Sequence, residues 1–222
     1  MQVYVINLDR RDDRLQDISL GLNRARIKFS KIQALDGSRD KSSPDSRFLS
    51  SGNQACWESH QLAFRMFLKD GATHALVLED DAEVSALSNW FLSKMVRFMT
   101  EKNIGVLQIG FISHIYSFPR LFPFLQSLSA VLTRRVVRVD GLRLAVFGEF
   151  RAGTHAYIVS KIAARELVGA NLPVTLAADN FMAALALANG RNSGVSMARL
   201  WRSQVGQRSR LSRSNEIDSD IA

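Results

Sequence analysis

Short apolar runs alternate along this chain with stretches whose apolar positions recur every three or four residues. QVYVINL, residues 2–8, reads as a buried strand. After it, Leu15, Ile18, Leu22 and Ala25 fall on one stripe of a helix, with Asp9 as the expected N-cap. RIKFSKIQA, residues 26–34, alternates as a second strand. Residues 52–71 then predict a helix ended by Gly71, with His60, Ala63, Phe64 and Phe67 on one face. Ala75 to Leu78 is a third apolar run. Residues 87–100 predict a helix with Phe91, Met95, Phe98 and Met99 on one side, and residues 105–110 a further inner strand. Strands alternating with helices imply an α/β fold with a single, mainly parallel sheet flanked by helices. Downstream, Asp140-Gly141 between two strand-like runs (136–147) signals a hairpin. Residues 148–160 give a loop and a strand, and Lys161 to Ala170 a short helix. LPVTLAADNFM, residues 172–182, leads into a helix closed by Asn189-Gly190.

The stretch HALVLEDDAEV, residues 74–84, carries the strongest chemical signal, because its apolar run stops at three acids, Glu79, Asp80 and Asp81. Carboxylates clustered at a strand's C-terminal end repel one another, and they match what Mg²⁺ or Mn²⁺ bound to substrate phosphates requires. Ligand crevices of open α/β sheets lie beyond the same strand ends. An acidic turn before a helix, with Asp80 or Asp81 as its cap, accounts for the triplet equally well. The strand-to-helix turn NLDRRDDR, residues 7–14, has two readings as well. Its backbone N–H groups and Arg10, Arg11 or Arg14 would meet nucleotide phosphates, or its charges simply face water. His60, on an apolar helix, reads as a core histidine before it reads as a ligand. The polar loop DGSRDKSSPDSRF, from Asp36, is a candidate substrate-facing segment. There is no repeat, P-loop, G-x-G-x-x-G or zinc-type Cys/His spacing.

Composition narrows the partners. The chain has 222 residues, 46% hydrophobic and 23% charged, which suits one globular α/β domain. Cys56 is the single cysteine, so an intrachain disulfide framework is excluded and a reducing compartment is expected. VYVINL ends at Asp9 and an arginine-rich turn, which does not read as a signal peptide, and no apolar run reaches a membrane span. The net charge of +8 favours anionic partners. Lys102 to Val139 contains no acid; within it Phe118, Leu121, Phe122, Phe124 and Leu125 stand beside Arg120, Arg134 and Arg135. Residues 199–213 add five arginines and open a basic C-terminal tail, 199–222. Peripheral association of these runs with an anionic membrane surface is one expectation. A core or acceptor-binding role for the aromatic run is the competing picture. No nucleic-acid-binding module accompanies the charge.

Four stretches in order, MQVYVINLDRRDDR, GNQACWESH, ALVLEDDAEV and GTHAYIVSKIAARELV, resemble glycosyltransferase family 25. These are the bacterial lipooligosaccharide galactosyltransferase-like enzymes, with relatives that glycosylate collagen, and the resemblance covers about residues 2–190. In the motif G-E-x-x-C-x-x-S-H, Gly52, Cys56, Ser59 and His60 match, while Asn53 stands where an acid is usual. The resemblance implies a GT-A fold over residues 1–198, with the hairpin-containing region near the acceptor. It implies metal-dependent, inverting transfer of a hexose, with galactose expected, from a UDP-sugar to a lipooligosaccharide or lipopolysaccharide acceptor. Glu79 and Asp81 occupy the outer positions of a DxD-like motif, as the expected ligands of Mn²⁺ or Mg²⁺. The expected donor-binding set is Asn7, Leu8, Arg10, Arg14, Glu79 and Asp80. For the general base that takes the acceptor hydroxyl's proton, Asp179 comes first, at an expected helix start where it also reads as a plain N-cap; Glu149 and His155 follow. A non-catalytic basic adaptor, a degenerate transferase on a membrane or other anionic partner, is the rival reading, resting on the charge, the tail and Asn53.

Overall fold

The computed structural model describes residues 1–39, 49–110, 136–139, 142–145, 152–188, 196–200 and 205–207. Ten strands and five helices are described: β1 (Gln2–Asn7), α1 (Asp12–Arg24), β2 (Ser30–Gln33), α2 (Ser51–Lys69), β3 (His74–Glu79), β4 (Ala82–Glu83), α3 (Asn89–Glu101), β5 (Val106–Gly110), β6 (Val136–Val139), β7 (Leu142–Ala145), β8 (Ala156–Ser160), α4 (Lys161–Leu167), α5 (Ala178–Ala188), β9 (Met197–Leu200) and β10 (Gly206–Gln207). Eight strands form one sheet in the order β2-β1-β3-β8-β5-β9-β7-β6, and β10 pairs with β4 apart from it.

Three layers follow from the two-residue period of the strands. Val3, Val5, Leu76 and Leu78 face α1 and α3, against Ile18, Leu22, Phe91, Met95 and Phe98. Tyr4, Ile6, Ala75 and Val77 face the other way, onto Trp57, Phe64 and Phe67 of α2 and onto residues of α4 and α5. β1 and β3 are covered on both sides, which is why they read as unbroken apolar runs. Each large side chain enclosed in this way stabilises the fold by about 1.5–3 kcal/mol.

The sheet is mixed, which corrects the mainly parallel arrangement expected from the sequence. β2 and β3 run parallel to β1, and β9 to β5, but β8 lies antiparallel between β3 and β5. The reason is topological. The chain leaves β5 at the sheet's carboxyl edge and returns to that edge at Thr154 and His155, so β8 runs downward. An apolar run buried on both faces has the same appearance in either direction.

Local chemistry also moved some boundaries. α1 begins after Arg11, not Asp9; Asp9 instead accepts from Lys31 Nζ at 2.7 Å. Its C-terminus closes through Arg26 at φ 55°, with Ile27 N–H reaching the Leu22 carbonyl at 2.9 Å, so β2 starts only at Ser30. Ser88 caps α3 by accepting from Phe91 N–H, and neither Asp80 nor Asp81 serves as that cap. Gly37 lets the loop after β2 press on the start of α2, where a Cβ would stand 2.5 Å from the Ser51 carbonyl.

β6 and β7 pair antiparallel, Val139 opposite Leu142, while the Asp140-Gly141 turn between them lies outside the described residues. So do the apolar-basic run 118–135, Glu149, the Asn189-Gly190 helix stop and residues 40–48 of the polar loop. β9 crosses the boundary drawn at residue 198, and Arg199 and Leu200 are buried in the sheet. Among the described residues, no helix is long and apolar enough to cross a membrane.

Candidate active site

β1 and β3 are neighbours, and the chain order reverses at β1: β2 lies on one side of it and β3 on the other. A crevice beyond their carboxyl ends is the expected ligand position in an open α/β sheet. Asn7 ends β1 there, and Glu79 ends β3, with Asp80 and Asp81 directly after it.

The pleat sends Glu79 and Asp80 to opposite faces. Asp80 joins the α1 side, where its Oδ2 accepts from Asn7 Nδ2 at 2.8 Å and its Oδ1 lies 3.4 Å from Arg14 Nη1. Asn7 Nδ2 also donates to the Arg11 carbonyl at 3.0 Å, which fixes the turn. Burial pushes the Asp80 carboxyl above its ordinary range, although the Asn7 hydrogen bond and the Arg14 charge oppose the shift. Leu8 is half-buried, and its carbonyl accepts from Arg11 N–H at 2.8 Å. Arg10 Nε bonds Asp36 Oδ2 at 2.9 Å, across from the β2 loop.

Glu79 joins the α2 side. Its Oε1 accepts from the Thr154 hydroxyl at 2.5 Å and stands 3.4 Å from His60 Nε2. Burial alone would raise its carboxyl, but contact with His60 and Thr154 outweighs burial and holds it below the usual range. On the far side of the imidazole, His60 Nδ1 lies 2.9 Å from the Tyr157 hydroxyl, whose own ionisation burial pushes well up. Cys56 is one helical turn before His60, on the same face of α2. Burial pushes its thiol well up, and the negative charges of Glu79, Asp179 and Asp81 add to the effect. The thiol therefore lies within the electrostatic reach of carboxylates from two segments, the end of β3 with its turn and the start of α5.

Asp81 sits past the end of β3, half-buried, in a turn held by the pairing of β4 with β10. Asp179 lies in the first turn of α5, inside the helix rather than at an N-cap. Its Oδ2 accepts from Gly153 N–H at 3.3 Å and its Oδ1 from Asn180 N–H at 2.8 Å. It thus holds the loop that delivers Thr154. His155 is enclosed; its Nε2 donates to the Val205 carbonyl at 3.2 Å, and burial lowers its basicity. Gly110 admits that ring, since a Cβ there would stand 2.6 Å from His155 Nε2.

The structure thus sets Glu79 beside Cys56 and His60, leaves Asp81 in the turn after β3 and Asp179 in the first turn of α5, and places Asn7, Arg14 and Asp80 on the opposite face of the sheet. Arg10 is set apart with Asp36. Thr154 and Tyr157 were missed from the sequence. Their signal lay in the stretch GTHAYIV, but which strand β8 joins is invisible there.

The family model of glycosyltransferase family 25, described as LPS biosynthesis protein, matches residues 1–182. The chain belongs to that family, and a glycosyltransferase works on a sugar donor and a glycan acceptor. A comparison with curated proteins finds no significant match.

Proposed function

We propose that this family 25 glycosyltransferase moves a hexose, galactose foremost, from a UDP-sugar to a saccharide acceptor of lipooligosaccharide or lipopolysaccharide, with inversion and with a divalent ion. The observation that carries the reading is the run of carboxylates at the carboxyl end of β3, Glu79, Asp80 and Asp81, beside Asn7 at the end of β1 and Arg14 of α1. Unrelieved, those carboxylates repel one another; a hard cation is the partner such an oxygen set takes. The residues present therefore fit Mn²⁺ or Mg²⁺, with Asp81 and Glu79 as its holders. Such an ion, when bound, would neutralise charge on the departing diphosphate.

The chain's own groups supply the rest. Arg14 and the N–H groups opening α1 face the anionic donor, and Asp80 and Asn7 hold Arg14 and the turn in place. Arg10 reaches the donor only by giving up Asp36. Asp179 is the first candidate to take the acceptor hydroxyl's proton, since it is half-buried and pinned to the loop that carries Thr154. Glu149, outside the described residues, and enclosed His155 follow. The 118–135 run remains the candidate for peripheral contact with an anionic membrane.

Titrating UDP and a panel of UDP-sugars by calorimetry, with and without Mn²⁺, tests the reading. Asp81→Ala should abolish the Mn²⁺-dependent part of UDP binding and leave the circular dichroism unchanged. Unaltered UDP affinity and metal dependence in that variant would overturn it.

A further inference from the structure

The Sγ of Cys56, a ring nitrogen of His60 and a carboxylate oxygen of Glu79 all lie within 4.8 Å of one another. Cys56 and His60 project from α2 at i and i+4, and Glu79 comes in from the end of β3. None of the three belongs to the hard-oxygen set that a Mg²⁺-type ion prefers except Glu79.

His60 Nε2 makes the cluster more than a chance gathering. The residue is 1% exposed, and this nitrogen has no hydrogen-bond partner among the described residues. It confronts Glu79 Oε1 at 3.4 Å. A lone pair facing a carboxylate is repulsive, so a positive species, a proton or a metal ion, belongs between them. The ring's other nitrogen, Nδ1, is anchored by Tyr157, and Glu79 by Thr154. Metal-binding imidazoles and carboxylates are commonly oriented by outer partners of this kind.

We infer that Cys56, His60 and Glu79 form a three-ligand site for a borderline-soft divalent cation of the Zn²⁺ class, which shares Glu79 with the hard-cation site proposed at Asp81 and Glu79 and differs from it in its thiolate and imidazole. Thiolate and imidazole select Zn²⁺ over Mg²⁺ or Mn²⁺. In a tetrahedral Zn²⁺ site, bonds of 2.0–2.3 Å put ligand atoms about 3.3–3.8 Å apart. The His60–Glu79 pair already stands at that separation, at 3.4 Å, and the thiol, within 4.8 Å of both, needs to close by no more than about 1.5 Å. On binding, the Cys56 S–H proton passes to solvent and sulfur forms the bond to the metal. Three protein ligands leave a fourth position open. The site stands on its own geometry, whether or not the chain transfers sugar.

The test uses Co²⁺ as a spectroscopic probe on the full chain stripped of metal. Cys56 is the single cysteine, so any thiolate-to-cobalt charge-transfer band belongs to it. One equivalent of Co²⁺ should give that band, and Zn²⁺ should displace it while Mn²⁺ does not. Cys56→Ser should remove the band and weaken Zn²⁺ by at least about 100-fold; His60→Gln should weaken it as well. Asp81→Asn should keep both band and affinity, which separates this site from the donor-binding one. Should Cys56→Ser misfold, alkylation of the native chain decides: Zn²⁺ should slow modification of Cys56 at least about tenfold. Absence of the band, unchanged Zn²⁺ affinity in Cys56→Ser, or alkylation indifferent to Zn²⁺ would each overturn the site and leave a proton between His60 and Glu79.

Discussion

Glu79 and Asp80 are chain neighbours with the same kind of side chain, yet they live in different surroundings. Glu79 enters a layer of aromatic rings, thiol and imidazole, where His60 and Thr154 hold its carboxyl below the usual range. Asp80 enters the α1 layer, where burial pushes its carboxyl up and Asn7 and Arg14 partly restore it. The strand's alternation does this. An acidic triplet at the end of a strand is not one cluster but two half-sites, with Asp81 half-buried in the turn that follows. One half-site faces the side from which chemistry on the acceptor is proposed. The other holds the turn proposed to grip the donor.

Replacing the two acids one at a time breaks or sharpens that division, and this is the largest effect expected. Glu79→Gln should lower kcat by on the order of 10²–10³, with UDP affinity in the absence of metal little changed. Asp80→Asn should act mainly on binding, raising the donor dissociation constant about tenfold and sparing kcat. Steady-state kinetics with a metal-free calorimetric control checks both. If the two variants shift kcat and KM in the same pattern, the faces of the sheet do not divide the work.

The arginines offer a smaller and more local test. Arg14 lies against Asp80 at the carboxyl end of β3, whereas Arg10 is tied to the Asp36 loop. A charge-assisted contact to a diphosphate contributes about 1.5–3 kcal/mol. Arg14→Ala should therefore raise the donor dissociation constant roughly tenfold or more. Arg10→Ala should raise it less, because Arg10 is already tied to Asp36 on the loop after β2. Calorimetry on both variants settles the order; equal effects would mean that Arg10 leaves Asp36 when the donor arrives, and no effect in either would make the turn a solvated helix start.

Much of this division was legible in the sequence, and its limits were physical. Val3 to Ile6 and Ala75 to Leu78 announced strands covered on both faces, and the triplet announced a strand end loaded with charge. The direction of β8 was not legible, because a doubly buried strand has no local mark of polarity and the 111–155 excursion decides where it returns. The helix caps were misjudged at Asp9 and at Asp80 or Asp81, since Ser88 holds the cap and Arg11 begins α1 with no side-chain cap bond at all. His60 read as a core histidine, and it is one by burial. What spacing alone does not reveal is that Glu79 arrives from another element to face it.

Position 53, where the family motif usually has an acid, gives the smallest effect and a clean separation of structure from chemistry. Ser50 is the N-cap of α2, its side chain accepting from Asn53 N–H at 3.3 Å. Asn53 is therefore the third residue of the helix, and it is exposed. Ser-x-x-Glu at these positions is a capping box, in which the glutamate reaches back to the N-cap N–H and places a negative charge near the positive end of the helix dipole. α2 has no acid in its first turn. An acid here thus has a helix-starting role that needs no part in catalysis, and its loss does not argue for a degenerate enzyme. Asn53→Glu should stabilise the protein by on the order of 0.5–1 kcal/mol, raising Tm by roughly 1–4 °C in a chain of this size. Transfer activity should stay within about twofold, a barrier change of less than about 0.5 kcal/mol. A gain in activity of tenfold or more with no change in Tm would instead place position 53 in the chemistry of the site. Because α2 also carries Cys56 and His60, the same thermal scan with and without Zn²⁺ shows whether firming the helix start is felt one turn further along.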